Sequence, residues 1–457
     1  MTYWHIQMSQ PSGRGGGHID STLLLKEEKP VIGTGEWDDF QCINFKHNMA
    51  IGDIVCVKEG GRLIALCRVT SDNFNDEDLE NKYISHNYRY VDVLDFYEGD
   101  DSFPQPQGTL SRAVNEDTAT WQFIDNWYNS IMKIEAKRKK EEAMNNIIKV
   151  LEDKKQLILQ GPPGSGKTYT AKDMAEQIIF NKISEDKKEQ KQLLENSNQF
   201  KLIQFHPAYS YEDFVRGIVA KTNGAQIEYK TENKLFAKFA EHAYNNWKAS
   251  QEPKEKVANE ALLGEKVEQK EKSTLIKEKK YILIIDEINR ANLPSVLGEL
   301  IYALEYRGEN VESMYETEED GNKLIIPPNL YIIGTMNNSD RSVGHIDYAI
   351  RRRFAFIDVL PKALEIENFQ LDLFKQVAAL FIKNYDDYSI NKAVPLKISE
   401  HLSEEFRPED VWLGHSYFIK GEGDFELRKK YEIIPILKEY VKDGILKQSA
   451  EPVINAL

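Results

Sequence analysis

The residues with the most specific chemistry lie in a glycine-rich segment that begins directly after a short apolar run. The run QLILQ, at residues 156–160, precedes GPPGSGKTY, and a helix-forming stretch follows. The spacing matches the phosphate-binding pattern G-x-x-x-x-G-K-[ST], in which backbone N–H groups at a helix N-terminus surround the phosphates of a nucleotide. We expect Lys167 to reach the terminal phosphates and the Thr168 hydroxyl to coordinate Mg²⁺. The predicted nucleotide-binding residues of this segment are Gly161, Pro162, Pro163, Gly164, Ser165, Gly166, Lys167, Thr168 and Tyr169.

Two carboxylates follow a second apolar run, YILII, at residues 281–285. Such a run is typical of a parallel strand that is buried on both faces. At its end we expect Asp286 to hold Mg²⁺ and Glu287 to orient and polarise the attacking water, because hydrolysis of a nucleoside triphosphate needs both roles. A third apolar run, within residues 329–342, ends at Asn337, which we expect to contact the γ-phosphate or the lytic water.

Three consecutive arginines lie in the segment HIDYAIRRRF, residues 345–354. Three roles are open for them: a nucleic-acid patch, structural ion pairs, or fingers that reach the γ-phosphate bound by a neighbouring subunit. In a nucleotide-driven ring the third role explains the cluster best, since arginine side chains stabilise the charge of the phosphoryl-transfer transition state.

Length and charge set outer limits on the remaining assignments. The 457 residues carry a formal net charge of −15, so any nucleic-acid contact must come from a local basic patch. No apolar run approaches the ~18 residues of a membrane span. The N-terminus lacks the basic start and apolar core of a secretory signal, so we expect a cytoplasmic protein with no membrane contact. The cysteines at 42, 56 and 67 include no C-x-x-C pair, which predicts small buried thiols and no metal site.

The N-terminal part of the chain is patterned for strands and the segment after it for helix. Apolar or alternating runs predict strands at Tyr3–Met8, Val31–Gly33, Asp53–Lys58, Leu63–Thr70 and Arg89–Phe96. They indicate a small barrel-like or mixed-sheet domain. From about Thr118 to Lys155, apolar residues at helical spacing amid dense charge predict a connecting helix or helix pair.

This N-terminal region resembles the EVE domain of the PUA-like superfamily. The resemblance rests on an N-terminal YW, on VIGTGEW at residues 31–37 and on GDIVCVKEGGRLIALCRVTSD at residues 52–72. It implies an aromatic pocket for a flipped, modified base. Trp37 and Trp4 are the candidate pocket walls, with core packing as the alternative for both.

The charge of this region restricts how it could contact DNA. Residues 1–133 contain 11 Lys and Arg against 21 Asp and Glu, whereas affinity for DNA depends on phosphate neutralisation. Binding would therefore be weak, or directed to something else, unless it used a local basic lip, for which the candidates are Arg14, Lys46, Arg68 and Arg89.

Six segments between residues 157 and 418 together resemble the McrB family of AAA+ proteins. They are GPPGSGKT, FHPAYSYEDFVRG, IIDEINRAN, GTMNNSDRS, AIRRRF and GHSYF. The resemblance implies an α/β fold: an AAA+ P-loop core, with a parallel sheet and flanking helices, followed by a C-terminal helical lid. It also implies assembly as a homo-oligomeric ring, usually a hexamer, and hydrolysis of GTP with Mg²⁺. Arg290 and one of Arg351 or Arg352 would act across the subunit interface.

One family signature matches only in part. The family pattern MN-T-A-DR corresponds here to MNNSDR at residues 336–341. The matching Asp340 and Arg341 are assigned to nucleotide binding by the resemblance. Asn338 and Ser339 depart from the pattern, so the choice between GTP and ATP stays open.

The family also implies a division of labour. An N-terminal domain reads modified DNA, the ring hydrolyses nucleotide, and a separate McrC-type subunit brings the nuclease. We therefore expect an EVE/PUA-like domain at residues 1–130, a helical connector at 131–155, a nucleotide-binding domain at 156–360 and a lid at 361–457. The alternative is an ATP-driven remodeller of protein substrates whose N-terminal domain is an adaptor. In the lid, His415 either senses nucleotide or is a hydrogen-bonded structural histidine.

Overall fold

The computed structural model describes most of the chain as two compact units, Met1–Ala143 and Met144–Leu457. No helix among the described residues is both long and apolar enough to cross a membrane. The described residues are 1–8, 21–35, 40–59, 61–83, 85–104, 110–223, 226–251, 277–318, 321–339 and 346–457.

In the described part of the first unit, six strands form one mixed sheet in the order β2-β5-β4-β3-β1-β6. Its strands are β1 (Tyr3–Gln7), β2 (Val31–Thr34), β3 (Ile54–Glu59), β4 (Arg62–Val69), β5 (Asn87–Phe96) and β6 (Leu110–Ala113). The pairing of β1 with β3 is parallel, whereas the other pairs are antiparallel. The prediction of a mixed sheet is confirmed, and the alternation along these runs located all strands except β6.

Short helices α1 (Ser21–Leu25), α2 (Phe40–Ile43) and α3 (Glu77–Tyr83) connect the strands, and α4 (Ala119–Lys154) follows them. The predicted connector is thus one continuous helix, and the boundary between the two units falls within it.

Trp4 lies in the hydrophobic core of the first unit. Its ring is completely buried, and its Nε1 donates a hydrogen bond to Asp53 Oδ2 at 2.9 Å. This placement favours core packing for Trp4 over the wall of a base pocket. Trp37, the other pocket candidate, lies outside the described residues, as does Arg14.

Arg89, a candidate for the basic lip, is not available at the surface. This prediction is wrong because the buried guanidinium of Arg89 donates to the carbonyl oxygens of Phe45, Ser71 and Lys46 inside the fold.

The three cysteines are buried, as predicted. Burial raises the pKa of Cys56 to about 12, so this thiol stays protonated at neutral pH.

In the second unit, five strands of the described residues form a wholly parallel sheet in the order β15-β7-β14-β11-β8. The strands of this unit, including two antiparallel hairpins, are β7 (Gln156–Gly161), β8 (Phe200–Gln204), β9 (Arg216–Asn223), β10 (Gln226–Asn233), β11 (Tyr281–Asp286), β12 (Asn310–Thr317), β13 (Gly321–Ile325), β14 (Leu330–Asn337) and β15 (Ala355–Asp358). Because the strands are parallel, the three polar sequences after β7, β11 and β14 emerge at one edge of the sheet.

Helices flank this sheet and then form a separate hydrophobic core of their own near the C-terminus. The helices are α5 (Lys167–Phe180), α6 (Lys187–Glu195), α7 (Tyr211–Phe214), α8 (Leu235–Gln251), α9 (Leu293–Leu297), α10 (Leu300–Ala303), α11 (Tyr348–Arg351), α12 (Leu371–Ala378), α13 (Tyr385–Ile390), α14 (Pro408–Val411), α15 (Phe425–Arg428), α16 (Ile434–Lys442) and α17 (Glu451–Ala456). Residues 293–308 do not form one continuous helix. Gly298 has φ of +50°, a left-handed conformation that separates α9 from α10.

A buried arginine joins the two hairpins. Arg216 is 1% exposed, and its guanidinium donates to Asn233 Oδ1 at 2.7 Å, to Gly321 O at 3.1 Å and to Lys323 O at 2.8 Å. The side chain therefore starts in β9 and bonds both to β10 and to the backbone of β13. Arg216 belongs to the segment FHPAYSYEDFVRG, so this part of the family pattern has a structural role here.

Replacing Arg216 with Leu is expected to lower the free energy of unfolding by about 3 kcal/mol, because several partly buried hydrogen bonds from a charged donor are lost. Urea unfolding of the purified protein measures this loss, and hydrogen exchange should locate it in β12 and β13. Lys323→Met is the matched control, since Lys323 lies on β13 with an exposed side chain. Equal stability of the two variants would contradict the assignment.

Candidate nucleotide-binding site

The phosphate-binding loop lies between β7 and α5, at the edge of the parallel sheet. Gly166 precedes the first turn of α5 with φ of +86°, a conformation that L side chains rarely adopt, so glycine is required there. The Ser165 hydroxyl is buried and has no hydrogen-bond partner among the described residues. A buried, unsatisfied polar atom in a loop of this sequence fits a ligand that brings oxygen atoms, such as a phosphate.

Lys167 is buried and turned back onto its own loop. Its Nζ donates to Gly161 O at 3.1 Å and to Pro162 O at 2.8 Å. Burial lowers the pKa of Lys167 to about 8, an effect that the nearby carboxylates of Glu287 and Asp286 partly oppose. A phosphate would offer this ammonium group a stronger acceptor than the two carbonyl oxygens.

This lowered pKa predicts that nucleotide affinity depends on pH. Bound phosphates favour the charged ammonium, so affinity should be highest below pH 8 and fall by up to about tenfold per pH unit above it. Calorimetric titration of the protein with Mg·nucleotide between about pH 7 and about pH 9 measures the effect. Lys167→Arg is the control, because a guanidinium stays charged throughout that range. An affinity of the wild-type protein that is constant over the range would contradict the prediction.

The predicted magnesium ligands lie side by side. Thr168 Oγ1 donates to Asp286 Oδ1 at 2.7 Å, and Thr335 Oγ1 donates to the same oxygen at 2.6 Å. These oxygen donors suit Mg²⁺, which prefers hard oxygen ligands and keeps several waters when it binds beside a nucleotide. No cluster of three or more His, Cys, Asp or Glu side chains with metal-binding geometry occurs in the described ranges. Nucleotide oxygens and water are the ligands that would complete the coordination of Mg²⁺ here.

Thr335 is a site residue that the sequence did not reveal. Besides its contact with Asp286, its Oγ1 accepts the backbone N–H of Glu287 at 3.1 Å. It therefore holds both carboxylate residues in place from the neighbouring strand β14. The available signal was a threonine within the apolar run LYIIGTM, two positions before Asn337.

Glu287 and Asn337 meet at the end of the sheet, as their positions after β11 and within β14 require. Asn337 Nδ2 donates to Glu287 Oε1 at 2.5 Å, and Arg290 Nε lies 3.2 Å from Glu287 Oε2. Glu287 also has φ of +52°, a strained conformation for a residue with a side chain, and such strain clusters at functional sites. Arg290, expected to act across a subunit interface, is thus paired with a carboxylate of its own chain in this structure.

The arginine triplet divides into one buried and two exposed side chains. Arg353 is 8% exposed, and its guanidinium lies 2.9 Å from Glu305 Oε2, which is a structural ion pair. Arg351 stacks over the Phe356 ring at 4.7 Å, and Arg352 lies 3.4 Å from Glu305, but both are exposed. The role of structural ion pair thus applies to Arg353, and the side chains of Arg351 and Arg352 are accessible to another molecule.

The lid contacts the phosphate-binding loop through its backbone. Gly414 N donates to Pro163 O at 3.1 Å, and Ser416 N donates to Gly164 O at 3.1 Å. A Cβ at Gly414 would lie 2.1 Å from Gly164 C, so only glycine allows this approach. The segment GHSYF is therefore placed against the nucleotide loop by main-chain contacts.

His415 lies between these contacts. Burial lowers its pKa to about 4, so the imidazole is neutral at physiological pH. Its Nδ1 accepts the backbone N–H of Lys362 at 3.4 Å, which leaves the proton on Nε2. A Cβ on Gly166 would lie 3.1 Å from that Nε2, so the N–H is next to the loop. His415 is therefore hydrogen-bonded within the lid, which is one of the two alternatives, and it also lies next to the nucleotide loop.

Of the three remaining residues predicted to bind nucleotide, the structure describes one. Tyr169 follows Thr168 in the first turn of α5 and is 61% exposed. Asp340 and Arg341 lie outside the described residues.

Comparisons with known proteins agree with this geometry. Residues 156–354 match the family model described as AAA domain (dynein-related subfamily). The Type IV methyl-directed restriction enzyme EcoKMcrB subunit of Escherichia coli (strain K12) is 34% identical over 324 residues, which cover 67% of this chain and 58% of that protein. The Type II restriction enzyme BsuMI component YdiS of Bacillus subtilis (strain 168) is 26% identical over 320 residues, which cover 66% of this chain and 81% of that protein.

The chain thus spans little more than half the length of the E. coli subunit. Among solved structures, human THYN1 protein in complex with 5-methylcytosine containing DNA aligns with 21% of this chain and 70% of its own, at 14% identity and a TM-score of 0.17. For the second unit, the matched residues contain four of the five strands of the parallel sheet, the phosphate-binding loop and the carboxylate pair. The chain therefore contains an AAA domain at residues 156–354, and this domain is McrB-like.

Proposed function

We propose that this protein is the GTP-hydrolysing motor and DNA-recognition subunit of a restriction complex that acts on modified DNA. The observation that carries the proposal is the convergence of Lys167, Thr168, Asp286 and Glu287 at one edge of the sheet. The similarity to two restriction-enzyme components supports the biological setting.

The chemistry proposed for the site is attack of water on the γ-phosphorus, which breaks its bond to the bridging oxygen and releases inorganic phosphate and a nucleoside diphosphate. Glu287 accepts a proton from the water, and its carboxylate is held for this by Asn337 and by the backbone contact to Thr335. Lys167 leaves the loop carbonyl oxygens and binds phosphate oxygens, whose negative charge increases in the transition state. Mg²⁺ held by Thr168 and Asp286 would neutralise phosphate charge when bound.

The site is completed by a second copy of the chain in this proposal. The exposed guanidinium groups of Arg351 and Arg352 are free of the burial that fixes Arg353, so they are available to a γ-phosphate held by a neighbour. We propose a ring, with a hexamer as its expected size. The neutral His415 would donate its Nε2 proton to a nucleotide oxygen from the lid side.

Domain roles follow the expected division of the chain. We propose a modified-nucleic-acid-reading domain at residues 1–130, a connector at 131–155, the nucleotide domain at 156–360 and the lid at 361–457. An McrC-type nuclease subunit is the proposed partner that cleaves the DNA. The proposed preference for GTP is what the resemblance to the McrB family implies.

Competition between nucleotides tests the proposal. The purified protein, with and without DNA that carries modified cytosine, is given equal GTP and ATP, and phosphate release from each is measured. The proposal predicts that GTP is hydrolysed in preference and that modified DNA binds the protein better than unmodified DNA. Preferred hydrolysis of ATP together with indifference to DNA would instead support a remodeller of protein substrates.

A further inference from the structure

A side-chain contact joins the end of β14 to the lid. Asn338 Nδ2 donates a hydrogen bond to Asp410 Oδ1 at 2.7 Å. A carboxylate only accepts, so the nitrogen of the Asn338 amide must face Asp410. The other amide atom, Asn338 Oδ1, is buried and has no hydrogen-bond partner within the described residues. The orientation of the Asn338 side chain thus depends on Asp410.

Asn338 also forms a backbone hydrogen bond with the phosphate-binding loop. Its backbone N–H donates to Gly161 O at 3.3 Å, the carbonyl oxygen that also accepts from Lys167 Nζ. The preceding residue, Asn337, donates to Glu287. One dipeptide therefore touches the loop that holds phosphate, the carboxylate that activates water, and the lid. A displacement of the lid would be transmitted to all of these contacts through two adjacent residues.

Asp410 is held in position from its own side of the contact. It lies in the short helix α14, and Arg407 Nε lies 3.5 Å from Asp410 Oδ2. Asp410 Oδ2 therefore contacts Arg407 of the lid, and Asp410 Oδ1 accepts from Asn338, which directly follows β14. The hydrogen bond to Asn338 has an ionised acceptor, which makes it stronger than a bond between neutral groups.

We propose that Asn338 and Asp410 are positioning residues that couple closure of the lid to the geometry of the γ-phosphate site. This inference rests on the proposed nucleotide hydrolysis. Neither side chain touches the reacting atoms. The contact holds Asn338 so that Asn337 and Glu287 keep their alignment, and it forms only when the lid is closed on the loop.

Exchanging the amide of Asn338 and the carboxylate of Asp410 between the two positions tests the contact. Asn338→Asp places two carboxylates against each other, so kcat should fall by about tenfold with a smaller change in KM. Asp410→Asn keeps an acceptor oxygen but weakens it, and a loss of about threefold is expected. The double variant restores a pair of donor and acceptor in the reverse sense, so its kcat should return to within about threefold of wild type. Glu404→Gln, on an exposed lid residue, is the control.

Hydrogen exchange gives a second measurement that needs no turnover. In the nucleotide-free protein, Asn338→Asp should speed exchange of the Gly414 and Ser416 amides, which donate to the loop, and the double variant should slow it again. A double variant as impaired as Asn338→Asp, or unchanged exchange in Asn338→Asp, would overturn the inference. Absence of hydrolysis by the wild-type protein would instead remove the proposed function, and the exchange data would still decide whether the contact closes the lid.

Discussion

Replacing Glu287 with Gln is expected to lower kcat for nucleotide hydrolysis by about 10²–10⁴-fold, the usual contribution of a positioned general base. The amide keeps the size of the side chain and can still accept the hydrogen bond from Asn337, but it cannot take a proton from water. Nucleotide affinity should stay within about threefold of wild type, because Lys167 and the loop backbone are unchanged. Single-turnover phosphate release and equilibrium binding separate the two quantities.

The control for this variant is Glu312→Gln, which makes the same chemical change at an exposed position on β12. Its hydrolysis should equal that of the wild-type protein. A wild-type rate for Glu287→Gln would remove Glu287 from the proposed role. Loss of binding in parallel with turnover would show that the carboxylate acts on the loop, through its charge next to Lys167, and not on the water.

Replacing Arg351 or Arg352 with alanine should lower kcat by an amount comparable to Glu287→Gln, but for a different reason. An arginine that reaches a γ-phosphate from a neighbouring subunit contributes about 10³–10⁵ to kcat. We expect at least one of the two single variants to lose hydrolysis at that scale while it still binds nucleotide. Arg138→Ala, an exposed arginine of α4, is the matched control and should keep wild-type turnover.

Mixing two inactive variants tests whether the arginine acts across the interface. A subunit with the impaired arginine variant keeps Glu287, and a neighbouring Glu287→Gln subunit can supply the missing guanidinium. The mixture should therefore recover a fraction of wild-type phosphate release. If the mixed rings remain as inactive as each variant alone, the arginine acts within its own chain or not at all.

The parts of the site that the sequence could predict are those set by local patterns. The spacing of the residues from Gly161 to Thr168 is enough to predict a phosphate-binding loop. The apolar strand before Asp286 likewise predicts that this carboxylate lies at the end of a buried strand. A parallel sheet then brings the ends of β7, β11 and β14 together, which is why Asn337 lies against Glu287 in the structure.

The parts that could not be predicted depend on contacts between distant residues. Thr335 contacts Asp286 from a neighbouring strand, and Arg216 bonds to backbone more than a hundred positions away, at Gly321 and Lys323. Neither contact leaves a periodic signal in the chain. The hairpins β9–β10 and β12–β13 were also missed, because their strands together contain more polar and charged residues than apolar ones.

Equilibrium binding of Mg·GTP and Mg·ATP to the purified protein, compared with Lys167→Ala, tests the central claim most directly. The claim is that Lys167, Thr168, Asp286 and Glu287 surround one triphosphate. It predicts that the wild-type protein binds at least one of the two nucleotides and that Lys167→Ala weakens this binding by about a hundredfold. Failure of the wild-type protein to bind either nucleotide, or equal binding by the variant, would contradict it.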